Sequence, residues 1–189
     1  MTRIVLASGS PRRRELLERV GVRDFSIRVP ETEELCPDGY TPAQTVEYLS
    51  RQKAYAVQSS PEEIVISADT MVFLDGLRLG KPVDEADAFR MLSALRGRCH
   101  TVCTGVTVRR GETSLTQSEQ TAVFFRNASD AELHRYIASG EPMDKAGSYG
   151  VQGLGALLVE RLEGDFFNVM GFPLLRVSRM LEHFGIILL

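Results

Sequence analysis

Soft metal ligands are scarce in this 189-residue chain, which has three cysteines and three histidines. Cys36, Cys99 and Cys103 are an odd number and do not make a closed disulfide framework, so reduced thiols are expected. Cys99 and Cys103 flank His100. In an extended strand, however, the two thiols lie roughly 13 Å apart and the imidazole points to the other face. One zinc with bonds of about 2.0–2.3 Å does not gather all three, and core cysteines are expected instead. No serine stands partnered with a histidine to make a case for a nucleophilic triad.

Excess positive charge is missing too. The net charge is −3 and the isoelectric point is near 5.7. A general nucleic-acid binder shows a basic field, so no nucleic-acid partner is expected. No apolar stretch approaches the ~20 residues that span a bilayer. Met1–Ala7 is too short an apolar run for a signal peptide. These absences set the expectation of a cytoplasmic protein without a membrane partner. Linkers, repeats and low-complexity segments are lacking, so residues 1–189 are expected to form a single domain.

Two familiar nucleotide motifs are absent on inspection. Gly76-Leu77-Arg78-Leu79-Gly80-Lys81-Pro82 has one residue too few between its glycines, and Pro82 stands where Ser or Thr would bind Mg²⁺. Gly150, Gly153 and Gly155 are in the wrong order for a dinucleotide fingerprint, and a strand is expected after them.

What is present is an ordinary globular composition, 43% hydrophobic and 25% charged. At this length roughly 70% of the unfolded surface can be buried without a covalent staple. Arg3–Ala7 reads as a buried strand, and Ser10-Pro11 as the N-cap and first residue of a helix that turns Leu16, Leu17 and Val20 inward before Gly21. Phe25, Ile27 and Val29 alternate as in a strand. Thr41-Pro42-Ala43-Gln44 is a capping box opening a helix to about Val57. Ile64–Ala68 is an apolar strand ending at Asp69, and Val72–Leu79 is a hairpin turning on Asp75-Gly76. Asp84 caps a helix with Ala88, Met91, Leu92 and Leu95. Cys99–Arg109 and Thr113–Arg126 are long strands around Arg110-Gly111. A second capping box at Ser129 opens a helix to Gly140. Ala156–Leu162 is a strand and Pro173–Phe184 a closing helix. Helices alternating with strands, interrupted by hairpins, predict an α/β fold with a mixed sheet.

Two groups of residues carry chemistry. Strand, small polar turn and helix N-terminus together make an anion site, because first-turn N–H groups lack intrahelical partners. Arg12, Arg13 and Arg14 stand in that first turn, against the helix dipole, at about 0.3–1 kcal/mol each when exposed. A polyphosphate beside Ser8 and Ser10 accounts for them. Carboxylates form the second group: Glu31, Glu33 and Glu34 in a loop and Asp69 at a strand end, where active sites of α/β sheets lie. Oxygen ligands there suit Mg²⁺ or Mn²⁺. Lys53 and Lys81 are candidate phosphate partners.

The run Leu6-Ala7-Ser8-Gly9-Ser10-Pro11-Arg12-Arg13 with Glu15-Leu16-Leu17 resembles the N-terminal signature of the Maf family. So do Ser67-Ala68-Asp69-Thr70, Gly80-Lys81-Pro82, the segment Asp144–Gly153 and Asn168-Val169-Met170-Gly171-Phe172-Pro173, where Phe172 replaces the family's more usual Leu. The resemblance implies an elongated Maf/ITPase-like α/β fold with flanking helices and two lobes around an active-site cleft. It implies a nucleoside triphosphate substrate, cut between the α- and β-phosphates to the monophosphate and diphosphate. On that reading Ser8, Ser10, Arg13, Lys53 and Lys81 hold the triphosphate. Glu34 and Asp69 bind a divalent cation (Mg, Mn or Co), with Asp69 either the proton acceptor or only a ligand. Arg12, Thr70 and Gln152 match the family's branch specific for dTTP and UTP, whereas the branch that takes 7-methyl-GTP carries a bulky aromatic, Gln and Glu. House-cleaning of modified pyrimidine nucleotides is a further role on this reading. A nucleotide-binding regulator of septum formation is the alternative of another class, a 7-methyl-GTP pyrophosphatase the alternative enzyme, and a homodimer is among the assemblies left open.

Overall fold

Every residue of Ile4-Val5-Leu6-Ala7 is apolar because both faces of its strand are covered. The computed structural model describes residues 3–33 and 35–189, and in it this run is β1 (Ile4–Ala7), buried throughout. Its two neighbours, β2 (Phe25–Ile27) and β3 (Ile64–Leu74), are both parallel to it. Parallel neighbours require crossovers, here α1 (Pro11–Arg19) before β2 and α2 (Pro42–Ala56) before β3. The remaining strands are β4 (Leu77–Leu79), β5 (Cys99–Arg110), β6 (Thr113–Phe125) and β7 (Val159–Glu163). The seven strands form one mixed sheet in the order β2-β1-β3-β5-β6-β7, with β4 paired antiparallel to β3. Helices α3 (Glu85–Leu95), α4 (Asp130–Ala138), α5 (Phe166–Val169) and α6 (Leu174–Glu182) complete the expected α/β class.

The chain divides into two compact units, the first made of Met1–Asp69, Thr104–Glu119 and Gly171–Leu189, the second of Thr70–Cys103 and Gln120–Met170. In the first, Val5, Ala7 and Val65 of the sheet pack against Ala54 and Val57 at the end of α2. Both halves of the expected capping box at Thr41 and Gln44 are formed. At the other end of α2, buried Arg109 donates from Nε to the Ala54 carbonyl (2.8 Å) and from Nη2 to the Val57 carbonyl (2.9 Å), satisfying acceptors that a helix C-terminus leaves over. Gly105 is a forced choice: a Cβ there would sit 2.2 Å from the Val46 carbonyl oxygen of α2. The second unit has its own core, in which Ala88, Leu92 and Leu95 of α3 meet Leu133 and Ile137 of α4 over Val123 and Phe125. The capping box at Ser129 and the Asp84 cap are both present.

Four expectations are corrected. Asp69 does not end a strand. β3 runs unbroken through it to the turn at Asp75 (φ +50°) and Gly76 (φ +79°), and a charge is tolerated there because it is paired. The alternation at Phe25, Ile27 and Val29 belongs to a short edge strand: β2 stops at Ile27, and Ile27 and Val29 are 43% and 64% exposed. Leu154–Leu158 is a 3-10 segment, and the strand begins only at Val159, since a continuous apolar run has no period to separate the two states. Of the expected core cysteines, Cys103 is buried, Cys36 is half-buried and Cys99, the first residue of β5, is exposed. Among the described residues, no helix is long and apolar enough to cross a membrane.

Candidate active site

β1 delivers its C-terminal end to the turn Ser8-Gly9-Ser10. The register pairs Leu6 with Ile66 and Ala7 with Ser67, so Ser8 leaves β1 at the level where β3 reaches Ala68 and Asp69. Parallel neighbours are spaced about 4.8 Å apart. This places the polar turn beside the carboxylate.

Within the turn, the buried Ser8 hydroxyl accepts two hydrogen bonds, from the Ser10 backbone N–H and from Arg13 Nη1, both at 3.2 Å. Arg13 Nε donates to the Gly171 carbonyl at 2.9 Å. The guanidinium therefore bridges the first turn of α1 and the residue before Phe172. Ser10 has the extended backbone of an N-cap, but its hydroxyl makes no capping bond. The three arginines separate by role. Arg14 is tied to Glu18 in an exposed i,i+4 pair at 2.9 Å, whereas Arg12 and Arg13 are half-buried in the same helical turn.

Asp69 is 4% exposed. Its Oδ1 accepts from Lys53 Nζ, whose side chain is 14% exposed. Its Oδ2 is buried and has no hydrogen-bond partner among the described residues. Two polar positions on β3 meet two on α2: the Ser67 hydroxyl donates to the Ser50 carbonyl at 2.6 Å, and Lys53 meets Asp69. Strand residues two apart share a face, and helix residues three apart share a stripe. Ser50 also contacts the Thr107 hydroxyl at 2.9 Å. Ser50 is absent from the sequence-based expectations and Ser67 has no role in them beyond its place in the Ser67-Ala68-Asp69-Thr70 run, although a serine inside an apolar strand is a readable signal.

Thr70, Lys81 and Gln152 belong to the second unit. Thr70, half-buried, follows Asp69 directly along β3, and Lys81 is exposed just beyond β4. Gly80 accepts from the Gly147 N–H at 3.0 Å, joining the Lys81 segment to the Ala146–Ser148 turn. Gln152 is exposed in a turn whose N–H groups are taken by Glu141, at 2.8 Å from Leu154 and 3.0 Å from Gly155. Glu34 lies outside the described residues, and Glu31 and Glu33 are exposed. Among the described residues, no three His, Cys, Asp or Glu side chains stand close enough to hold a metal ion. The chemistry of the donors still fits one. Asp69 presents a buried, unpartnered carboxylate oxygen, and a hard cation can draw its remaining oxygens from phosphates and water.

A mixed α/β sheet whose parallel strands set an arginine-backed serine turn beside a buried carboxylate has the parts of a site for an anionic ligand. The chain belongs to the Maf family, whose model, described as Maf-like protein, matches residues 3–184. It is 46% identical over 187 residues to the dTTP/UTP pyrophosphatase of Bacillus pumilus, covering 98% of each chain. With the dTTP/UTP pyrophosphatase of Moorella thermoacetica it shares 48% identity over 190 residues, covering 98% of this chain and 97% of that one. A solved structure of a HAM1 protein from Coxiella burnetii superposes with a TM-score of 0.52 at 15% identity, covering 97% of this chain and 100% of that one. That likeness concerns the fold alone.

Proposed function

We infer that this chain is a nucleoside triphosphate pyrophosphatase that hydrolyses dTTP and UTP to the nucleoside monophosphate and diphosphate. The observation that carries the reading is Asp69, a buried carboxylate with one oxygen fixed by Lys53 and the other unpartnered among the described residues. It sits beside a serine turn backed by Arg13, in a chain that covers 95–98% of relatives named dTTP/UTP pyrophosphatase.

Ser8, Ser10, Arg13, Lys53 and Lys81 hold the triphosphate in this scheme, the cations neutralising charge that builds on the bridging and leaving oxygens. Water attacks the α-phosphorus, the bond from that phosphorus to the β-bridging oxygen breaks, and diphosphate leaves. Asp69 Oδ2 takes the proton of the attacking water while Lys53 keeps the carboxylate oriented. A divalent ion (Mg²⁺, Mn²⁺ or Co²⁺) would be held by Asp69, with Glu34 as a second carboxylate; when bound, it screens the phosphate charge. Gln152 reads the base, with Arg12 and Thr70 marking the same branch of the family. Uracil and thymine present a carbonyl acceptor beside an N3–H donor, and a side-chain amide offers the matching donor and acceptor.

The test is a panel of dTTP, UTP, CTP and 7-methyl-GTP with each ion, read by product identity. Diphosphate and monophosphate from dTTP and UTP are expected, with CTP poorer by about tenfold to a hundredfold, the scale of mispaired buried polar groups. Orthophosphate as a first product would overturn the assigned bond, and equal kcat/KM for all four would overturn the base reading. Full turnover in excess chelator would remove the ion from the scheme.

A further inference from the structure

The turn Gly150–Gly155, which carries Gln152, is held from one side by a single carboxylate. Glu141 Oε2 accepts from the Leu154 N–H at 2.8 Å. Its Oε1 accepts from the Gly155 N–H at 3.0 Å and from the Tyr136 hydroxyl at 2.9 Å. The same hydroxyl oxygen accepts from the Gly150 N–H at 3.0 Å. Both ends of the turn therefore converge on Glu141, one directly and one through Tyr136. Lys145 Nζ locks the carboxylate's own backbone by donating to the Glu141 carbonyl at 2.6 Å and to Asp144 Oδ1 at 2.7 Å.

The glycines show how closely the turn is wrapped. A Cβ at Gly153 would fall 2.2 Å from Glu141 Oε2, and one at Gly155 would fall 2.5 Å from the Gly150 carbonyl and 2.6 Å from the Tyr136 hydroxyl. Real Cβ atoms do not approach so near, so the carboxylate occupies space that only glycine leaves. Burial opposes a charge there. The Gly155 and Leu154 N–H groups, the Tyr136 hydroxyl and nearby Lys145 outweigh it and hold the Glu141 carboxyl below the ordinary range. Gln152 takes no part in this network: its side chain is exposed.

We propose that Glu141 is a positioning residue for base selectivity: its carboxylate fixes the Gly150–Gly155 turn and so the place from which the Gln152 side chain reaches the pyrimidine edge. The proposal rests on the reading that Gln152 recognises the base. A loose turn lets the whole glutamine shift to follow either hydrogen-bonding pattern, whereas a fixed Cα confines its amide to one place against the base edge. Binding energy spent on a preorganised contact is lost when its support is lost.

The experiment measures kcat/KM for dTTP and CTP in the wild type, Glu141→Gln, Gln152→Ala and the double variant, with urea denaturation of each. Glu141→Gln keeps the size of the side chain but turns an amide NH₂ toward one of the turn's N–H donors. The dTTP/CTP ratio is expected to fall by about tenfold, the weight of one misplaced hydrogen bond. The change should appear chiefly in the dTTP KM, with kcat within about threefold. In the Gln152→Ala background the substitution should narrow the ratio no further, because residues acting as one unit are not additive. Should Glu141→Gln destabilise the fold, Tyr136→Phe removes the acceptor for Gly150 and serves as the second probe. A ratio unmoved by both probes while Gln152→Ala collapses it would overturn the role of Glu141 and leave the base reading intact. A ratio unmoved by Gln152→Ala would overturn the base reading and this inference with it. Additive narrowing in the double variant would show Glu141 acting by another route and would also overturn it.

Discussion

Asp69→Asn separates chemistry from folding, because the side chain keeps its shape and loses only its charge. Lys53 would still find an acceptor at the amide oxygen, but the neutral bond is weaker than the charge-assisted one it replaces. Removing one partner of a fully buried ion pair costs about 3–5 kcal/mol. Lys53 keeps 14% of its side chain exposed and can slide its ammonium toward water along a flexible stem, so about 1–2 kcal/mol is expected here. For a chain of this size that lowers Tm by roughly 2–8 °C. Diphosphate release from saturating dTTP should meanwhile fall by about 10²–10⁴ in kcat, the weight of a general base. The converse change, Lys53→Met, strands a carboxylate that is only 4% exposed. It should cost more stability than Asp69→Asn, about 3 kcal/mol or above, with a smaller loss of kcat. Initial rates and urea denaturation on the same preparations give both quantities. Wild-type kcat in Asp69→Asn would refute the catalytic assignment. Equal, negligible stability losses in both variants would refute the buried pair.

Three further outcomes follow from single contacts. Arg13→Ala removes the donors to Ser8 and to the Gly171 carbonyl, and should weaken binding of a non-hydrolysable triphosphate by tenfold or more while leaving monophosphate binding within about threefold; equal losses, measured by calorimetry, would place Arg13 elsewhere. His100 is 3% exposed and burial pushes its imidazole down to about 4. The unfolded chain therefore takes up a proton below about 6.5 that the folded chain refuses, and roughly 3 kcal/mol of stability drains away between pH 6.5 and 4. His100→Phe should flatten that part of the urea-midpoint profile, and an unchanged acid limb would contradict the assignment. Gly105→Ala drives a methyl into the Val46 carbonyl and should cost about 3 kcal/mol or prevent folding; an unfolding free energy within about 0.5 kcal/mol of wild type would mean that α2 does not lie directly on β5.

Much of the fold was readable wherever a local rule acts alone. The capping boxes at Thr41 and Ser129 and the Asp84 cap fixed three helix starts because cap chemistry depends on four adjacent residues. The strand ends were less legible, for physical reasons that differ at each. Phe25, Ile27 and Val29 alternate perfectly, yet alternation records only which residues could face a core. At the sheet edge Ile27 and Val29 stay exposed and Phe25 is only half-buried. Ala156–Leu158 is apolar without a period, so length and pattern left strand and 3-10 segment indistinguishable. Glu141 escaped notice because its importance lies in backbone donors ten residues and more away, and no local pattern encodes those.

Asp69 shows how a residue can be singled out on a mistaken expectation about its strand. A lone carboxylate after Ile64–Ala68 reads as the end of a strand because a charge in the middle of a buried sheet is costly unless paired. The missing term was the partner. Ser50 and Lys53 stand three apart on a helix that must cover this sheet, since β1 and β3 are parallel and α2 is the crossover before β3. Ser67 and Asp69 stand two apart on β3, on one face. A helix stripe of period three to four and a strand face of period two meet twice over that span, serine carbonyl to serine hydroxyl and ammonium to carboxylate. The two polar pairs are thus one feature of helix-on-sheet packing. Lys53 neutralises Asp69 well enough for β3 to continue, and it leaves Oδ2 unpartnered among the described residues. The pairing that lets the strand pass through the carboxylate also leaves that oxygen available for chemistry.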